Sequence, residues 1–387
     1  MKYLNKRFIA GAAILAVGLT VASATTAVGE PASSVQQSAN PQSTVRHLNH
    51  VFIIMEENHA ADGTIGDAKS MPFLNSLADT YNVATTYYGV THTSEPNYIA
   101  ATSGSNWGVN NDNGWEAGST ENGVALPANQ YDHTNIVDQL EANHIPWAAY
   151  MDSMPSAGYL PDKSPDGLYV SKHNPFILYQ DVRLDPARTA NIKPYTDMAS
   201  DLNGKNVPKY VWISPNLCND MHGGIYSTIP GHPETPCPYS DAIGDPLDQA
   251  LKAKADSFLK TAVQTIMSSK AWTGNSVIFV TADENDFDAA NASIGQYASA
   301  AGCCDSPLLP AGDPEISPNW PGGVYGGGLV PMIVISRNGP THVSDPTPYN
   351  HYSMLSTIEQ GFGLSTLGFA SDAAQVQPMW PLISGKH

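Results

Sequence analysis

The chain of 387 residues carries only 18 lysines and arginines against 36 aspartates and glutamates, so its formal net charge is −18. Nucleic-acid-binding proteins usually show a basic patch, and none is visible here, so nucleic acid is not an expected partner. The negative overall field also repels anionic substrates, so chemistry on phosphate needs a local cation, and a bound metal is the simplest source.

The first 24 residues have the pattern of an export signal. A basic head between Lys2 and Arg7 precedes an apolar run that is short for a membrane-spanning helix, and an A-x-A cleavage pattern ends at Ala24. Residues 25–47 contain almost no large apolar side chain and cannot bury enough surface to fold. We therefore predict a secreted protein without a stable membrane span, with a signal peptide at 1–24, a flexible leader at 25–47 and a single domain at 48–387.

Buried strands alternate with helices through the rest of the chain. Continuous apolar runs rich in β-branched residues are typical of strands buried on both faces of a parallel sheet. Strands are predicted at 50–55, 83–90, 147–150, 210–214, 276–281 and 329–336, and helices at 72–81, 135–144, 246–269 and 352–361. This order predicts an α/β fold with helices on both faces of a largely parallel sheet.

Three segments between these elements are rich in Gly, Pro, Asn and Ser. Long loops in compact domains are commonly functional. The predicted loops span residues 104–132, 223–245 and 285–328.

Polar residues cluster directly after four predicted strands, in the sequences MEENH, THTSEPN, SPNLCNDMH and TADEND. In open α/β sheets the carboxyl ends of the strands form the ligand crevice, so these clusters are expected to form one site. The alternative is that each cluster is a separate helix cap or loop turn.

Ser94 lies after the second predicted strand and before a helix that we expect to start near Pro96, because proline is favoured in the first helical turn. Backbone N–H groups and the helix dipole favour an anion such as phosphate at that position. A serine there is equally consistent with a helix N-cap.

Hard oxygen ligands lie at the ends of two predicted strands. Glu57 and Asn58 follow the first strand, and Asp283 and Glu284 follow the strand at 276–281. Such ligands suit calcium, magnesium, manganese or a mixed-ligand zinc site. Two solvated loops are the alternative interpretation.

Four cysteines, at positions 218, 237, 303 and 304, suggest disulfides in an oxidising compartment. Three pairings are possible. A bridge from Cys218 to Cys237 would close a loop that carries Asp220 and His222, whereas a zinc site is disfavoured because the spacing lacks two C-x2-C pairs.

Five motifs occur in an order that resembles a known family: EEN, THTSEPNYIAATSG, NDMHGG, the DE of TADEND, and YNHYSMLSTIEQGFGL. Together they are similar to secreted bacterial acid phosphatases of the SapM type. Those enzymes belong to a phosphoesterase family that includes acid phosphatase A and bacterial phospholipases C. The resemblance runs from about His50 to Leu364 and implies an alkaline-phosphatase-like fold.

The resemblance also implies roles for individual residues. Ser94 matches the nucleophile, and the implied ligands of one divalent metal ion are Glu57, Asn58, Ser94, Asp283 and Glu284. Asn97 matches a residue that holds phosphoryl oxygens. His222 and His351 match positions that bind a second ion in two-metal relatives or face the phosphate. The residues implied on the substrate side are Lys172, His173 and Asp220.

The function that follows is a metal-dependent acid phosphatase that hydrolyses phosphate monoesters, on lipids or sugars, through a phosphoserine. A phospholipase C that acts at a phospholipid headgroup is the alternative within the family. The segments at 230–246 and 285–328 look longer than in compact relatives, which bears on substrate range.

Two other classes fit less well. A serine esterase would need a G-x-S-x-G elbow, which is absent, and would leave Glu57 and Asn58 unused. A secreted binding module could use the 18 tyrosines and 7 tryptophans, but aromatic residues more often pack the core and loops.

Overall fold

The computed structural model describes residues 46–109, 111–116, 120–121, 124–125, 128–224, 237–238, 245–286, 301–309, 323–324 and 326–384. The predicted signal peptide and nearly all of the predicted leader lie outside these residues, as do large parts of the loops at 223–245 and 285–328. Within the described ranges, no helix combines the length and apolar character that a membrane span requires.

The described strands, in chain order, are β1 Val51–Glu56, β2 Asn82–Ala84, β3 Tyr87–Tyr88, β4 Thr120–Glu121, β5 Val124–Ala125, β6 Trp147–Met151, β7 Ile192–Pro194, β8 Tyr210–Ser214, β9 Val277–Ala282, β10 Leu308–Leu309, β11 Gly323–Val324, β12 Met332–Ser336, β13 Ser344–Asp345 and β14 Tyr349–Asn350. The described α-helices are α1 Ala61–Thr64, α2 Pro72–Thr80, α3 Ser94–Ser103, α4 Ile136–Ala142, α5 Pro175–Leu178, α6 Gln180–Arg183, α7 Pro186–Thr189, α8 Met198–Asp201, α9 Pro246–Ser268 and α10 His351–Phe362.

Eight strands form the central sheet, in the order β13-β2-β12-β9-β1-β8-β6-β7. The core strand β1 pairs in parallel with β8 on one side and with β9 on the other. Strand β12 is antiparallel to both β9 and β2. The sheet is therefore mostly parallel, with an antiparallel member towards one edge.

Two apolar cores cover the two faces of this sheet, because successive side chains of a strand point to opposite sides. In β1, Val51, Ile53 and Met55 pack into one core, while Phe52 and Ile54 pack into the other. The first core includes side chains of α3, α4, α5 and α10, and the second includes those of α2, α8 and α9. The predicted α/β fold with helices on both faces is confirmed.

The predicted strand at 83–90 is wrong as a single element. Within this segment only β2 pairs with the central sheet, whereas β3 pairs with β14 in a separate two-stranded sheet. The backbone changes its hydrogen-bond partners between β2 and β3. The N–H of Thr85 donates to the Asp345 carbonyl, whereas the N–H of Gly89 donates to the Gly328 carbonyl. The THTSEPN cluster therefore does not follow a parallel strand of the main sheet.

The helix expected near Pro96 begins two residues earlier, at Ser94. Thr93 occupies the N-cap position, so Ser94 is the first helical residue and the N-cap interpretation of Ser94 is wrong. Every residue of α3 is buried. A helix of this kind is fixed by packing on all sides, which holds its first turn rigidly at the edge of the sheet.

Cys218 forms a disulfide with Cys237, and Cys303 forms one with its neighbour Cys304. This is one of the three pairings that the sequence left open. The first bridge anchors the segment after β8 that carries Asp220 and His222. In the second, the carbonyls of both cysteines accept from the side-chain amide of Asn350, at 3.2 and 3.1 Å.

Candidate active site

Glu57 and Asn58 follow β1 at the carboxyl edge of the sheet, and the Glu57 side chain is fully buried. The backbone N–H of Glu57 donates to the Asp220 carbonyl at 2.8 Å. Its Oε1 accepts from the Tyr98 hydroxyl at 2.6 Å, and its Oε2 lies 3.1 Å from Ser94 Oγ. Because Tyr98 and Ser94 belong to α3, Glu57 joins the end of β1 to that helix.

Asp283 and Glu284 follow β9, the parallel neighbour of β1. The backbone N–H of Asn58 donates to Asp283 Oδ1 at 3.2 Å, and Glu284 Oε1 lies 3.2 Å from Ser94 Oγ. Parallel pairing of β1 and β9 brings the two strand ends together, so all the ligands predicted from the sequence meet in one buried cluster.

The Ser94 hydroxyl lies among three oxygens of this cluster. Its Oγ is 3.1 Å from Glu57 Oε2, 3.2 Å from Glu284 Oε1 and 3.5 Å from Asn58 Oδ1. A hydroxyl carries one proton and can donate to one of these oxygens at a time. The remaining oxygen–oxygen contacts are of the kind that a shared cation holds together.

Four buried carboxylates crowd this edge of the sheet, those of Glu57, Asp220, Asp283 and Glu284. Burial raises the pKa of each well above its ordinary value, and the charge of Asp283 raises the pKa of Glu57 further, as that of Glu284 does for Asp283. Within the described part of the chain, Asp283 Oδ2 has no hydrogen-bond partner. Buried carboxylates need nearby cations to stay ionised, so this donor set fits a divalent metal ion.

The Asn58 amide responds to the same crowding. Its oxygen faces Glu57 Oε2 and Glu284 Oε1, and rotating the amide would let its nitrogen donate to these atoms at 2.9 and 3.3 Å. The rotated amide suits the cluster without an ion, whereas an ion between the carboxylates would draw the oxygen inward. The Asn58 backbone has φ 35°, a left-handed conformation that asparagine adopts more readily than most residues.

A histidine contacts Oε1 of Glu57, whereas Ser94 contacts Oε2. His173 Nε2 is 3.2 Å from Glu57 Oε1, and its Nδ1 is 3.3 Å from Asp220 Oδ2. The ring stacks on Tyr98, with centroids 5.5 Å apart and an interplanar angle of 6°. These contacts place His173 against the cluster of predicted metal ligands, whereas the sequence had predicted a substrate-side residue.

His222 completes a second possible ligand set. One potential ligand atom from each of Glu57, His173 and His222 lies within 4.8 Å of the others. His222 Nδ1 hydrogen-bonds the Gly223 carbonyl at 2.7 Å, so Nε2 is the nitrogen that can bind a proton or an ion. Burial, reinforced by the charge of Lys172, lowers the pKa of His222 to about 4.

Lys172 supplies positive charge beside the cluster. Burial would lower its pKa, but the charges of Asp112 and Glu57 outweigh burial and raise it. Its Nζ forms a 2.8 Å ion pair with Asp112 Oδ2. A protonated lysine within electrostatic reach of Glu57 and Glu284 is compatible with the predicted role in substrate binding.

The Asn97 side chain is bonded mainly to the backbone around Ser94. Its Oδ1 accepts from the backbone N–H groups of Val90 and Thr91, at 2.8 and 3.0 Å. Its Nδ2 donates to the carbonyls of Thr91 and Thr93, at 2.7 and 3.0 Å, and reaches Glu284 Oε2 only at 3.5 Å. The amide thus holds the turn before Ser94, and its geometry does not carry the predicted contact with phosphoryl oxygens.

The His351 ring is likewise bonded within the fold. Its Nε2 is 2.6 Å from the Asp283 carbonyl, and its Nδ1 is 2.9 Å from the Tyr87 hydroxyl. Both ring nitrogens are therefore engaged by the protein, and burial lowers its pKa to about 4. This geometry makes His351 a support for the backbone of Asp283, and neither ring nitrogen is presented to a phosphate.

Sequence reasoning assigned no role to three residues that the structure places at the site. Tyr98 and His92 belong to or adjoin the motif around Ser94, and His92 Nδ1 lies 2.5 Å from Glu284 Oε2. Asp112 belongs to the predicted loop at 104–132. The first two could have been found within a quoted motif, but no local pattern marks Asp112.

The sequence matches known proteins over most of its length. The profile described as "Phosphoesterase family" matches residues 67–231 and 248–365. A "Phosphate-repressible acid phosphatase" from Penicillium chrysogenum is 26% identical over 362 residues, which cover 92% of this chain and 70% of that protein. A "Phosphatidylinositol-3-phosphatase" from Mycobacterium tuberculosis is 27% identical over 352 residues, which cover 90% and 88%.

Among solved structures, one described as a protein in the alkaline phosphatase superfamily from Vibrio parahaemolyticus aligns with a TM-score of 0.45 and 13% sequence identity. The alignment covers 83% of this chain and 68% of that one.

Proposed function

Starting from the premise that this chain belongs to the Phosphoesterase family and is a phosphoric ester hydrolase, we propose that it is a metal-dependent acid phosphatase acting on monoesters. The observation that carries the proposal is the position of Ser94 Oγ, at the start of α3 and within 3.5 Å of Glu57, Glu284 and Asn58. A hydroxyl surrounded by carboxylate and amide oxygens suits a nucleophile that a shared cation activates.

In the first half-reaction, Ser94 Oγ attacks the phosphorus, the bond to the leaving oxygen breaks, and Ser94 becomes phosphoserine. The serine proton has two acceptors within reach, Glu57 Oε2 and Glu284 Oε1. A divalent ion, when bound, would lower the pKa of the hydroxyl and neutralise charge on the phosphoryl group. The residues that would hold it are Glu57, Asn58, Ser94, Asp283 and Glu284.

Lys172 would position the phosphoryl oxygens, and His222 would transfer protons. Lys172 attracts the negative phosphoryl oxygens. His222, through Nε2, would give a proton to the leaving oxygen and take one from the water that attacks the phosphoserine. Breaking the bond between phosphorus and Oγ then releases phosphate, and Oγ takes back its proton from Glu57 or Glu284, which restores Ser94.

The substrate class that we propose is a small phosphate monoester on a lipid or a sugar. The name of the mycobacterial relative, a phosphatidylinositol-3-phosphatase, supports a phosphorylated lipid. Cleavage at a phospholipid headgroup by a phospholipase C reaction is the competing outcome, which the assay below separates.

We also propose that the protein is exported. The support is the N-terminal sequence, with its basic head, its apolar run and the small residues up to Ala24. Peptide sequencing of the protein from the culture medium is expected to find a new N-terminus near Thr25. Recovery of the intact chain inside the cell would contradict export.

The central test is turnover of p-nitrophenyl phosphate and bis(p-nitrophenyl) phosphate, with and without a chelator. We expect the monoester to be preferred and the chelator to abolish turnover, with recovery on adding a divalent metal. Ser94→Ala is expected to lose about 10³-fold or more in kcat. Ser76→Ala, on the exposed surface of α2, is the matched control and should keep full activity.

Two results would contradict the proposal. Full activity in a folded Ser94→Ala protein would exclude a phosphoserine intermediate. Turnover that is the same with and without the chelator would exclude a requirement for the metal. Preference for the diester would assign the phospholipase reaction instead.

A further inference from the structure

Asp112 joins two parts of the candidate site through its two carboxylate oxygens. It lies in the segment between α3 and α4, 18 positions after the nucleophile, and its side chain is 26% exposed. Oδ1 bonds to the start of α3, and Oδ2 bonds to Lys172. No role follows for it from the sequence motifs or from the mechanism described above.

The start of α3 is capped from outside the helix. Thr93 occupies the N-cap position, yet its side chain makes no capping hydrogen bond. Asp112 Oδ1 accepts from the Glu95 backbone N–H at 2.8 Å and from the Thr93 hydroxyl at 2.7 Å. Asp112 therefore holds the residues on both sides of Ser94, as an N-cap carboxylate normally does from within the helix.

The second oxygen of Asp112 fixes Lys172. Its Oδ2 accepts from Lys172 Nζ at 2.8 Å, and the lysine side chain is one-fifth exposed. The charges of Glu57 and Glu284 also attract this ammonium. Without Asp112, the lysine would be drawn towards the carboxylates that are proposed to hold the metal.

We propose that Asp112 is a positioning residue that sets Lys172 at a fixed distance from Ser94, so that the ammonium meets the phosphoryl oxygens and stays off the metal ligands. This inference rests on the proposed function, because it assumes that the site binds phosphate. A carboxylate this close to a phosphate site also repels the substrate, and holding Lys172 is the gain that offsets this cost.

The two roles of Asp112 can be separated by Asp112→Asn. Asparagine keeps an Oδ1 acceptor for Glu95 and Thr93, but it presents an uncharged NH₂ group to the lysine ammonium. We expect the KM for p-nitrophenyl phosphate and the Kd for inorganic phosphate, measured by calorimetry, each to rise about tenfold. The kcat should change by less than about threefold, because the start of α3 keeps its cap.

A double-mutant cycle with Lys172→Gln tests whether Asp112 acts through the lysine. In the Lys172→Gln background, Asp112→Asn is expected not to raise the phosphate Kd, since no ammonium remains to be held and the repulsion between Asp112 and phosphate is removed. The matched control is Asp201→Asn, because Asp201 forms a similar 2.7 Å pair with Lys193 away from the site. That variant should bind phosphate as the wild type does.

An unchanged phosphate Kd in folded Asp112→Asn would overturn the inference. So would a rise in the phosphate Kd that is equally large with Lys172 and with Lys172→Gln. If Asp112→Asn does not fold, Asp112→Glu replaces it. The longer side chain displaces the lysine, and we expect a rise of about threefold in the phosphate Kd, so an unchanged value overturns the inference. Absence of wild-type turnover would instead reject the proposed function itself.

Discussion

Two clusters of acidic side chains in this protein are built in opposite ways. At the candidate site, Glu57, Asp220, Asp283 and Glu284 are buried together, and each has a raised pKa. Near the surface, three carboxylates surround one guanidinium, that of Arg188. These are Asp138 at 2.8 Å, Glu141 at 2.9 Å, and Asp181.

The difference between the clusters separates structural charge from functional charge. The arginine cluster contains its own central cation and is partly exposed, so water and Arg188 together stabilise its carboxylates. The site cluster is buried, and its nearby lysine is held by a separate partner, Asp112. A metal-binding site requires negative charge that the protein itself does not neutralise. Such charge destabilises the folded protein until the ion binds.

The largest effect is expected from Asp283→Asn at the site. We expect kcat/KM to fall about 10³-fold, while the metal-free protein gains on the order of 1–2 kcal/mol of unfolding free energy because one crowded charge is gone. Steady-state assays and urea unfolding measure the two quantities. In the arginine cluster, Asp181→Asn is the control and should keep full activity. A metal-free Asp283→Asn protein that is less stable than the wild type would contradict the crowding argument.

Metal binding should stabilise the site cluster alone. An ion at 100 times its Kd adds about 2.7 kcal/mol, which for a chain of this size is a rise of roughly 5 °C in Tm. Thermal unfolding of chelator-treated protein with magnesium, calcium, manganese or zinc would identify the ion. Glu57→Gln should lose most of the rise, whereas Asp138→Asn should retain it. An equal rise in both variants would place the ion elsewhere.

A lone buried carboxylate, Glu359 in α10, separates the effect of burial from that of crowding. Burial raises its pKa to about 9, and Oε2 has no hydrogen-bond partner among the described residues. The folded state therefore holds a proton that the unfolded state releases above its ordinary pKa of 4.5. This contribution to stability is complete below about pH 4.5 and is lost as the pH rises towards 9.

Glu359→Gln should consequently be more stable than the wild type at pH 8, by on the order of 2 kcal/mol, and nearly equal to it at pH 4.5. Glutamine keeps an oxygen for the Leu367 N–H, which Glu359 Oε1 accepts at 2.9 Å. Urea unfolding at the two pH values measures the difference. A stability difference that does not depend on pH would show that burial alone does not hold this proton.

The smallest effect is expected in the arginine cluster. Arg188→Met leaves three carboxylates facing one another without their cation, and we expect a loss of about 1 kcal/mol at low salt. Added salt screens the repulsion, so the loss should shrink at about 1 M sodium chloride. Turnover should be unaffected. A loss of activity would show that this cluster is coupled to the site.

The sequence predicted the common location of the acidic residues at the candidate site where chemistry and chain position coincide. Glu57 with Asn58, and Asp283 with Glu284, follow buried strands whose apolar pattern is easy to read, and parallel pairing of those strands brings the two pairs together. The order of polar motifs along the chain was therefore enough to predict that these side chains share one edge of the sheet.

The sequence does not determine which atoms a polar side chain faces. Asn97 and His351 lie in the motifs that predicted them, yet the polar atoms of both are engaged mainly by the backbone or by Tyr87. A motif fixes the residue type and its position along the chain. It does not fix whether the side chain points to the substrate or back into the fold.

The sequence by itself determined the alternation of strands and helices, the acidic strand ends and the serine beside them, because these depend on local apolar patterns and short spacing. Only the tertiary structure decided that the segment at 82–88 divides between two sheets, that α3 starts at Ser94, and that Asp112 holds Lys172. Each of these depends on contacts between residues far apart in the chain. Hydrogen bonds and ion pairs of that kind leave no periodic signal in a sequence.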